Sequence, residues 1–555
     1  MSLEIRYIDA PEGVQEGLTA SSTGGSVFSD PASVPRGGPD AAWATLEPGV
    51  WVLDGSRRLL PDDPEPGWWS AEPSGPDGSF AVPPVLELAL ETPCSATGFT
   101  FTFSPSTGQW CSRIRLSWYN GATLLRQGVY FPDGPEWVLE QTVESFDRIR
   151  LELLAASAPG QFAKLRQLVV GQLLCFGPEE LERVQLVNEA DPTLCVLSAD
   201  TLSVTLMDRK GRNLIPQENQ RMELYRDGKL RAVSYIVSGT RKGRNVYQFS
   251  CQSVIGLLED TFLGGMYDRK PLAELVAEIL GERPFALAPD FRETTVSGYL
   301  GVCTQRQALQ QLAFAVGAVI TTQDSDKIRF IPLPTAVTDT FGPADIFLGA
   351  SVRTEPRVSR VEVTAHSYSP SEEEVTLLQD EEITGEDVLI TFDTPHHSYA
   401  ITGGQITASD VNWVRVSAEG CVTLTGKSYL HSCVVHSRRN PMATARELGN
   451  AVSVPDVTLI HGGNGKQALD RLYGVCLLRQ TAEQEAVVRG QRAGDSVASV
   501  TPWNTRLNGY ITSMDMELTR GASVAKVVIL GMEAAVEGVY LHSGELFAGG
   551  TEVVY

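Results

Sequence analysis

The sequence predicts a mainly β, multidomain protein: a jelly-roll β-sandwich, further β-rich units after it, and a small α/β insertion. Three observations predict this. The chain has 555 residues, and domains of roughly 100–200 residues imply three to five of them. Apolar and polar residues alternate with period two in many short runs bounded by turn residues, the pattern of half-buried strands. Only one segment, 268–332, carries clear helical periodicity.

Composition narrows the function. Hydrophobic residues make up 42% of the chain, too many for a disordered protein. No apolar run approaches the ~18–20 residues of a membrane span, so no transmembrane segment is expected. Met1–Arg6 lacks the basic and apolar regions of a secretory signal, so synthesis in a cytoplasm is expected. The formal net charge of −23 argues against specific nucleic-acid binding, which needs clustered Lys and Arg. The nine cysteines are odd in number and form no C-x-x-C pair, as expected of buried free thiols in a reducing compartment.

The elements follow in order. Residues 1–40 open with a strand-like stretch, Leu3 to Ile8, and continue in a Ser/Gly/Pro-rich linker or arm, Ala20 to Pro39. Residues 41–178 read as the sandwich. Phe99, Phe101 and Phe103 alternate with threonines, Ile114, Leu116 and Trp118 with polar residues, and Ile149, Leu151 and Leu153 likewise. Pro76-Asp77-Gly78, Tyr119-Asn120-Gly121 and Pro132-Asp133-Gly134 supply turns.

This region is similar to the discoidin-like, galactose-binding-type jelly rolls used as carbohydrate-binding modules. The likeness rests on Trp68-Trp69-Ser70, Asp77-Gly78-Ser79-Phe80, the Phe99–Phe103 run, Trp118-Tyr119-Asn120-Gly121 and Phe146-Asp147-Arg148-Ile149. Trp43, Trp51, Trp68, Trp69, Trp110 and Trp118 crowd this part of the chain, with Trp137 after them. Sugar rings stack their C–H faces on indoles. Trp118, in alternation, reads as core. Trp68, Trp69 and Trp110 sit beside turn residues and are the candidate glycan platform. Docking of a partner protein is the alternative use of the same sandwich.

Residues 179–262 are again β-rich. Met222–Tyr225, Arg226-Asp227-Gly228-Lys229 and Ala232–Val237 read as a hairpin, and Val246–Cys251 as a strand. Residues 263–344 hold the α/β unit. Pro271 suits a first helical position, and Leu272, Leu275, Val276, Ile279 and Leu280 form an amphipathic stripe. Thr304 with Gln307 is a capping-box pattern opening a second helix, and Gly317 stops it. Val319 to Pro332 reads as a hairpin. Residues 345–535 are strand-rich, with a β insertion at about 386–435. Within them, Pro441–Leu448 and Lys466–Leu478 are compatible with helix. Residues 536–555, with Gly549-Gly550, read as a C-terminal arm.

The order of a strand-rich barrel, a helix, Gly298-Tyr299-Leu300, a helix from Gln305 to Val316 and a hairpin ending in Lys327-Ile328-Arg329-Phe330 resembles tail-tip or baseplate hub proteins of bacteriophages. Gly494-Asp495-Ser496-Val497, Gly509–Met514 and Leu518-Thr519-Arg520-Gly521 are similar to the closing barrel of those hubs. The resemblance implies a homotrimer of subunits that each give two tube-type β-barrels, here at 179–262 and 345–535. Its implied partners are the tail tube, distal tail or baseplate proteins and a central spike or fibre. It implies a virion location at the tail tip, after synthesis in the bacterial host cytoplasm, with host-surface glycan met through the sandwich. Ser371-Glu372-Glu373-Glu374 and Asp380-Glu381-Glu382 read as solvated faces bracketing a short strand. Glu372, Glu373 and Glu374 are the candidate acids of a tube lumen.

The motif searches select no catalytic, cofactor or metal residues. His396-His397 and the pair His431/His436 do not match H-E-x-x-H, and Asp393 beside His396 reads as loop packing. No G-x-S-x-G elbow occurs. Gly462-Gly463-Asn464-Gly465-Lys466 lacks P-loop spacing and reads as a turn into a helix. With 68 acidic residues, a glycosidase carboxylate pair is not singled out. The expected function is a structural, non-enzymatic hub. The alternative is a carbohydrate-binding adhesin, or a cell-wall polysaccharide-degrading enzyme with a binding module.

Overall fold

A computed structural model describes residues 2–11, 13–37, 47, 50, 65–104, 107–347, 349–501, 505–519, 524–534, 539–540 and 553–554. Trp43, Trp51, Arg520, Gly521 and most of the arm at 536–555 lie outside the described residues. The fold is mainly β and multidomain. Among the described residues no helix is long and apolar enough to cross a membrane.

The largest sheet has 13 strands. Its order runs through Leu173–Phe176, Leu3–Pro11, Gln220–Arg226, Lys229–Arg241, Val246–Gln252, Thr201–Met207 and Leu181–Glu189. It continues into Arg506–Glu517, Val524–Ala534, Gln480–Val487 and Ser351–Thr354. The seam is the antiparallel pairing of Gln185–Glu189 with Ser513–Glu517. Among the described residues the sheet does not close into a barrel, and the expected barrel units at 179–262 and 345–535 share this one sheet. Leu181–Glu189 pairs with Thr201–Met207 on one side and with Arg506–Glu517 on the other, so its backbone N–H and C=O groups are satisfied on both edges. One apolar cluster lines both halves, from Ile5, Val204 and Phe249 to Val497, Ile511 and Val527. The first strand belongs to this sheet because Leu3, Ile5 and Tyr7 alternate inward.

The hairpin turn expected at Asp227-Gly228 forms, with Arg226 opposite Lys229. Both turn residues have positive φ, 50° and 74°, which the strand twist at a two-residue turn demands.

The sandwich is a six-stranded sheet built on two long strands, Val85–Thr102 and Glu136–Ala155. A two-stranded sheet of Trp68–Pro73 and Phe162–Leu165 accompanies it. Its core holds Trp68, Phe99, Phe101, Phe103, Trp118 and Phe146. Asp9, on the first strand, reaches into it: its carboxylate accepts from the backbone N–H and the hydroxyl of Thr97. Ser95 and Gln217 exchange two further bonds across the same joint.

The α/β unit matches its sequence pattern closely. Helix Leu272–Leu280 buries its stripe, although Pro271 is the residue just before the helix, not its first member. Helix Gln305–Val316 is opened by Thr304 and Gln307 in a capping box and closed by Gly317 at φ 81°. Strands Ala318–Thr321 and Ile328–Pro332 pair antiparallel.

Residues 360–439 depart most from expectation. The acids of 371–382 do not bracket a short strand. They lie within one 32-residue strand, Arg360–Thr391, that pairs with Trp413–Arg439. His396–Asp410 completes the far side, and Ala451–Val454 pairs beside the base. Local bulges, such as that between Pro370 and Glu374, let so long a strand stay paired. Pro441–Leu448 is a run of turns, not a helix: Asn440 accepts from the backbone of Met442. Glu447 accepts from the backbone N–H groups of Thr444 and, outside the segment, of Arg357, and such side-chain bonds to the backbone favour turns over helix. Gly465–Cys476 is helical as expected.

Candidate functional site

The aromatic platform does not form as the sequence suggested. Trp68 is 0% exposed and Trp69 7%. Turn-adjacent position suggested an open surface, but the chain folds back over it. Ser26 donates to the carbonyl of Trp69 and Ala71 to that of Gly24. A Cβ at Gly25 would stand 2.7 Å from the indole Nε1 of Trp68, so only glycine lets the backbone lie this close. Trp68 and Trp69 therefore pack the interior. Trp69 lies under the ammonium of Lys164, 4.9 Å from the ring centre. That buried lysine pairs with Glu47 and Gln109. Burial lowers its pKa, against the opposing pull of Glu47. Trp110 is half-buried, and its indole donates to the Pro132 carbonyl at 3.1 Å. Next to that carbonyl, Phe131 is 68% exposed.

Glu372, Glu373 and Glu374 are exposed on the long strand. Lys427 from the paired strand forms an ion pair with Glu372, and this bond holds the Glu372 carboxyl below its usual range.

The structure also assembles a group that no local motif revealed. His366, His431 and Cys433 each offer a ligand atom, and these atoms lie within 4.8 Å of one another. The register of the two long strands makes the cluster: His366 stands opposite Cys433, and Tyr368 opposite His431. His366 Nδ1 is 3.0 Å from His431 Nε2. Cys433 Sγ is 3.3 Å from the same His431 nitrogen and 3.6 Å from His366 Nδ1. The other His366 nitrogen bonds the Pro455 carbonyl at 2.8 Å. Burial lowers the His366 pKa, partly opposed by that carbonyl. Tyr368 stacks on His431 with ring centres 4.5 Å apart, and Tyr299 lies against Tyr368 at 4.8 Å. Burial pushes the Tyr368 hydroxyl up to about 12. His366 is buried, whereas His431 and Cys433 are exposed.

The signal in the sequence was slight. His431 and Cys433 are spaced i, i+2, which puts both on one face of a strand. The third member lies 65 residues away from His431, and only strand pairing brings it in. His436, at the other parity, falls away from the cluster and lies against Gly465.

No family model matches the chain, and no curated protein does. Matches are found among solved structures. The tail protein from Neisseria meningitidis MC58 is 12% identical, over 64% of this chain and 92% of that one, with a TM-score of 0.39. The prophage tail protein gp18 from Listeria monocytogenes EGD-e is 9% identical, over 64% and 91%, with a TM-score of 0.37. A family 32 carbohydrate-binding module from C. perfringens NanJ, solved with galactose, is 15% identical, over 31% and 99%, with a TM-score of 0.20.

Proposed function

We propose that the chain is a structural subunit of a phage or phage-like tail, acting as a trimeric hub between the tail tube and the tip. One observation carries the reading. Two β units, separated by the α/β segment, merge edge to edge through Gln185–Glu189 and Ser513–Glu517. Each subunit thereby offers two side-by-side sheet segments, so three subunits present six. That is the symmetry match a hexameric tail tube requires. The long sheet supports an assembling role as well. Leu430, Val434 and Val435 on strand Trp413–Arg439 are exposed, as are Met442 and Leu448 just beyond it. Leu430 and Val434 share one side of the strand and Val435 points to the other, so apolar groups on both sides are left for another chain to cover.

The test is mass in solution. The chain alone is 60.2 kDa, and the reading expects a stable species of about three times that mass, with ring-shaped particles in negative stain. A monomer at all concentrations, or one that releases reducing sugar from cell-wall polysaccharide, overturns it.

Glycan contact is the second reading. The residues that favour it are Trp110 and the exposed Phe131, since Trp68 and Trp69 are enclosed. Replacing both Trp110 and Phe131 by alanine should abolish retention on a glycan surface without changing assembly. Retention equal to that of the unaltered chain rejects this contact.

A further inference from the structure

We infer that His366, His431 and Cys433 bind a divalent cation of the zinc class at the base of the long-stranded sheet. The donor set is two imidazoles and a thiolate, which suits Zn²⁺ and its spectroscopic stand-in Co²⁺ better than the oxygen-seeking Mg²⁺ or Ca²⁺.

The geometry supports this independently of donor type. Metal–nitrogen and metal–sulfur bonds of roughly 2.1 and 2.3 Å place two nitrogens of a tetrahedron about 3.4 Å apart, and a nitrogen and sulfur about 3.6 Å apart. The three separations here are 3.0 Å between nitrogens and 3.3 and 3.6 Å from sulfur to nitrogen. One ion therefore fits between the three atoms with small side-chain shifts. The outer groups are also in place. The Pro455 carbonyl accepts a hydrogen bond from the Nε2–H of His366, which leaves the Nδ1 lone pair facing the cluster. This is the arrangement that orients metal-bound histidines. Tyr368, backed by Tyr299, stacks on His431 and fixes its plane.

The buried His366 forms the floor, while the exposed His431 and Cys433 leave a path for the ion. The fourth position faces solvent and goes to water. On binding, the Cys433 thiol releases its proton to solvent as the sulfur–metal bond forms, so uptake is accompanied by acid release. The ion would clip strand Arg360–Thr391 to strand Trp413–Arg439, just where the sheet leaves the α/β unit.

The experiment is a cobalt(II) titration of the full-length reduced chain, followed by competition with zinc. The expected result is one cobalt per chain, with a thiolate charge-transfer band in the near ultraviolet and the visible bands of tetrahedral cobalt. Zinc should erase both. Cys433→Ser should remove the charge-transfer band, and His431→Gln should weaken binding beyond the roughly 10–100-fold that loss of an outer-sphere partner brings. Both side chains are exposed, so circular dichroism should show the fold retained. Cys421→Ser, an exposed thiol on the same strand, should leave the spectrum unchanged. A chain that shows no thiolate band at saturating cobalt holds only a hydrogen-bonded histidine pair, and the inference fails. It fails equally if the band survives Cys433→Ser.

Discussion

The N-terminal sandwich and the long-stranded sheet of 360–439 are both antiparallel β structures, yet they are held together differently. The sandwich encloses a dense aromatic core. Phe99 stands 5.2 Å from Trp118 and 5.7 Å from Phe146, ring centre to ring centre. In the outer part of the long sheet, the buried apolar cluster among the described residues is Val414, Val416, Ala418, Val422 and Leu424. Most of the strand between Ser367 and Thr391 alternates between exposed and half-buried positions. Hydrophobic burial is the main favourable term in folding. The sandwich therefore draws on a dense buried core, whereas the outer part of the long sheet rests more on its ladder hydrogen bonds.

The largest expected effect lies in the sandwich. Trp118 is fully enclosed, so Trp118→Ala should cost about 3–5 kcal/mol. Denaturant unfolding followed by tryptophan fluorescence should show an early sandwich transition, because the domains need not unfold together. A single unshifted transition would mean that the core is not independent, and the contrast with the long sheet would fall.

The joint between sandwich and large sheet supplies the next test. Burial raises the Asp9 carboxyl from 3.8 to about 6, against the opposing bonds from Thr97. A carboxyl with a raised folded pKa binds more protons folded than unfolded. Its stabilising contribution is therefore full below about pH 4 and is lost as pH rises through about 6, on the order of 3 kcal/mol in all. Asp9→Asn keeps an acceptor for Thr97 and cannot ionise. The variant should lose less stability between pH 4 and pH 7 than the unaltered chain, measured by thermal unfolding across that range. Equal slopes would show that Asp9 is not the group responsible.

In the long sheet, Leu424 is buried in the small cluster. Leu424→Ala should cost about 2 kcal/mol, the low end for such truncations, because a thin core collapses easily around the gap. The loss should appear as faster amide exchange confined to 370–425, with the sandwich unchanged. Exchange that rises equally in both regions would erase the distinction between them.

What could be read from the chain was local. The capping box of Thr304 and Gln307, the Asp227-Gly228 turn and the alternation through Phe99–Phe103 each depend on neighbours within a few residues. Such signals survive in the finished fold because packing agrees with them. What escaped depends on register between distant segments. Nothing near Gln185 announces Glu517, and nothing near Cys433 announces His366. Trp68 looked exposed because turn residues adjoin it. The segment that covers it, at Gly24–Ser26, lies in a stretch whose Ser/Gly composition reads as linker. The single long strand through Glu372 was hidden for the opposite reason. Its acids break the apolar alternation, and its pairing with Trp413–Arg439 rests on backbone bonds that side chains do not reveal.

Those acids give the smallest expected effect and the last separation of the two regions. Glu372 pairs with Lys427 on an open surface, where solvent screens both charges and their net contribution is slight. Neutralising Glu372, Glu373 and Glu374 together to glutamine should leave the melting temperature of the isolated chain unchanged within error. In the tail hub proposed above, the same triple change should alter DNA passage through assembled particles if these acids line the tube, and should not alter assembly. Exposed acids that face outward would leave both unchanged, so intact particles with normal DNA ejection would remove the lumen assignment. A fall in melting temperature would instead mean that the ladder of the long strand relies on its charges, and the sheet would then be self-supporting after all.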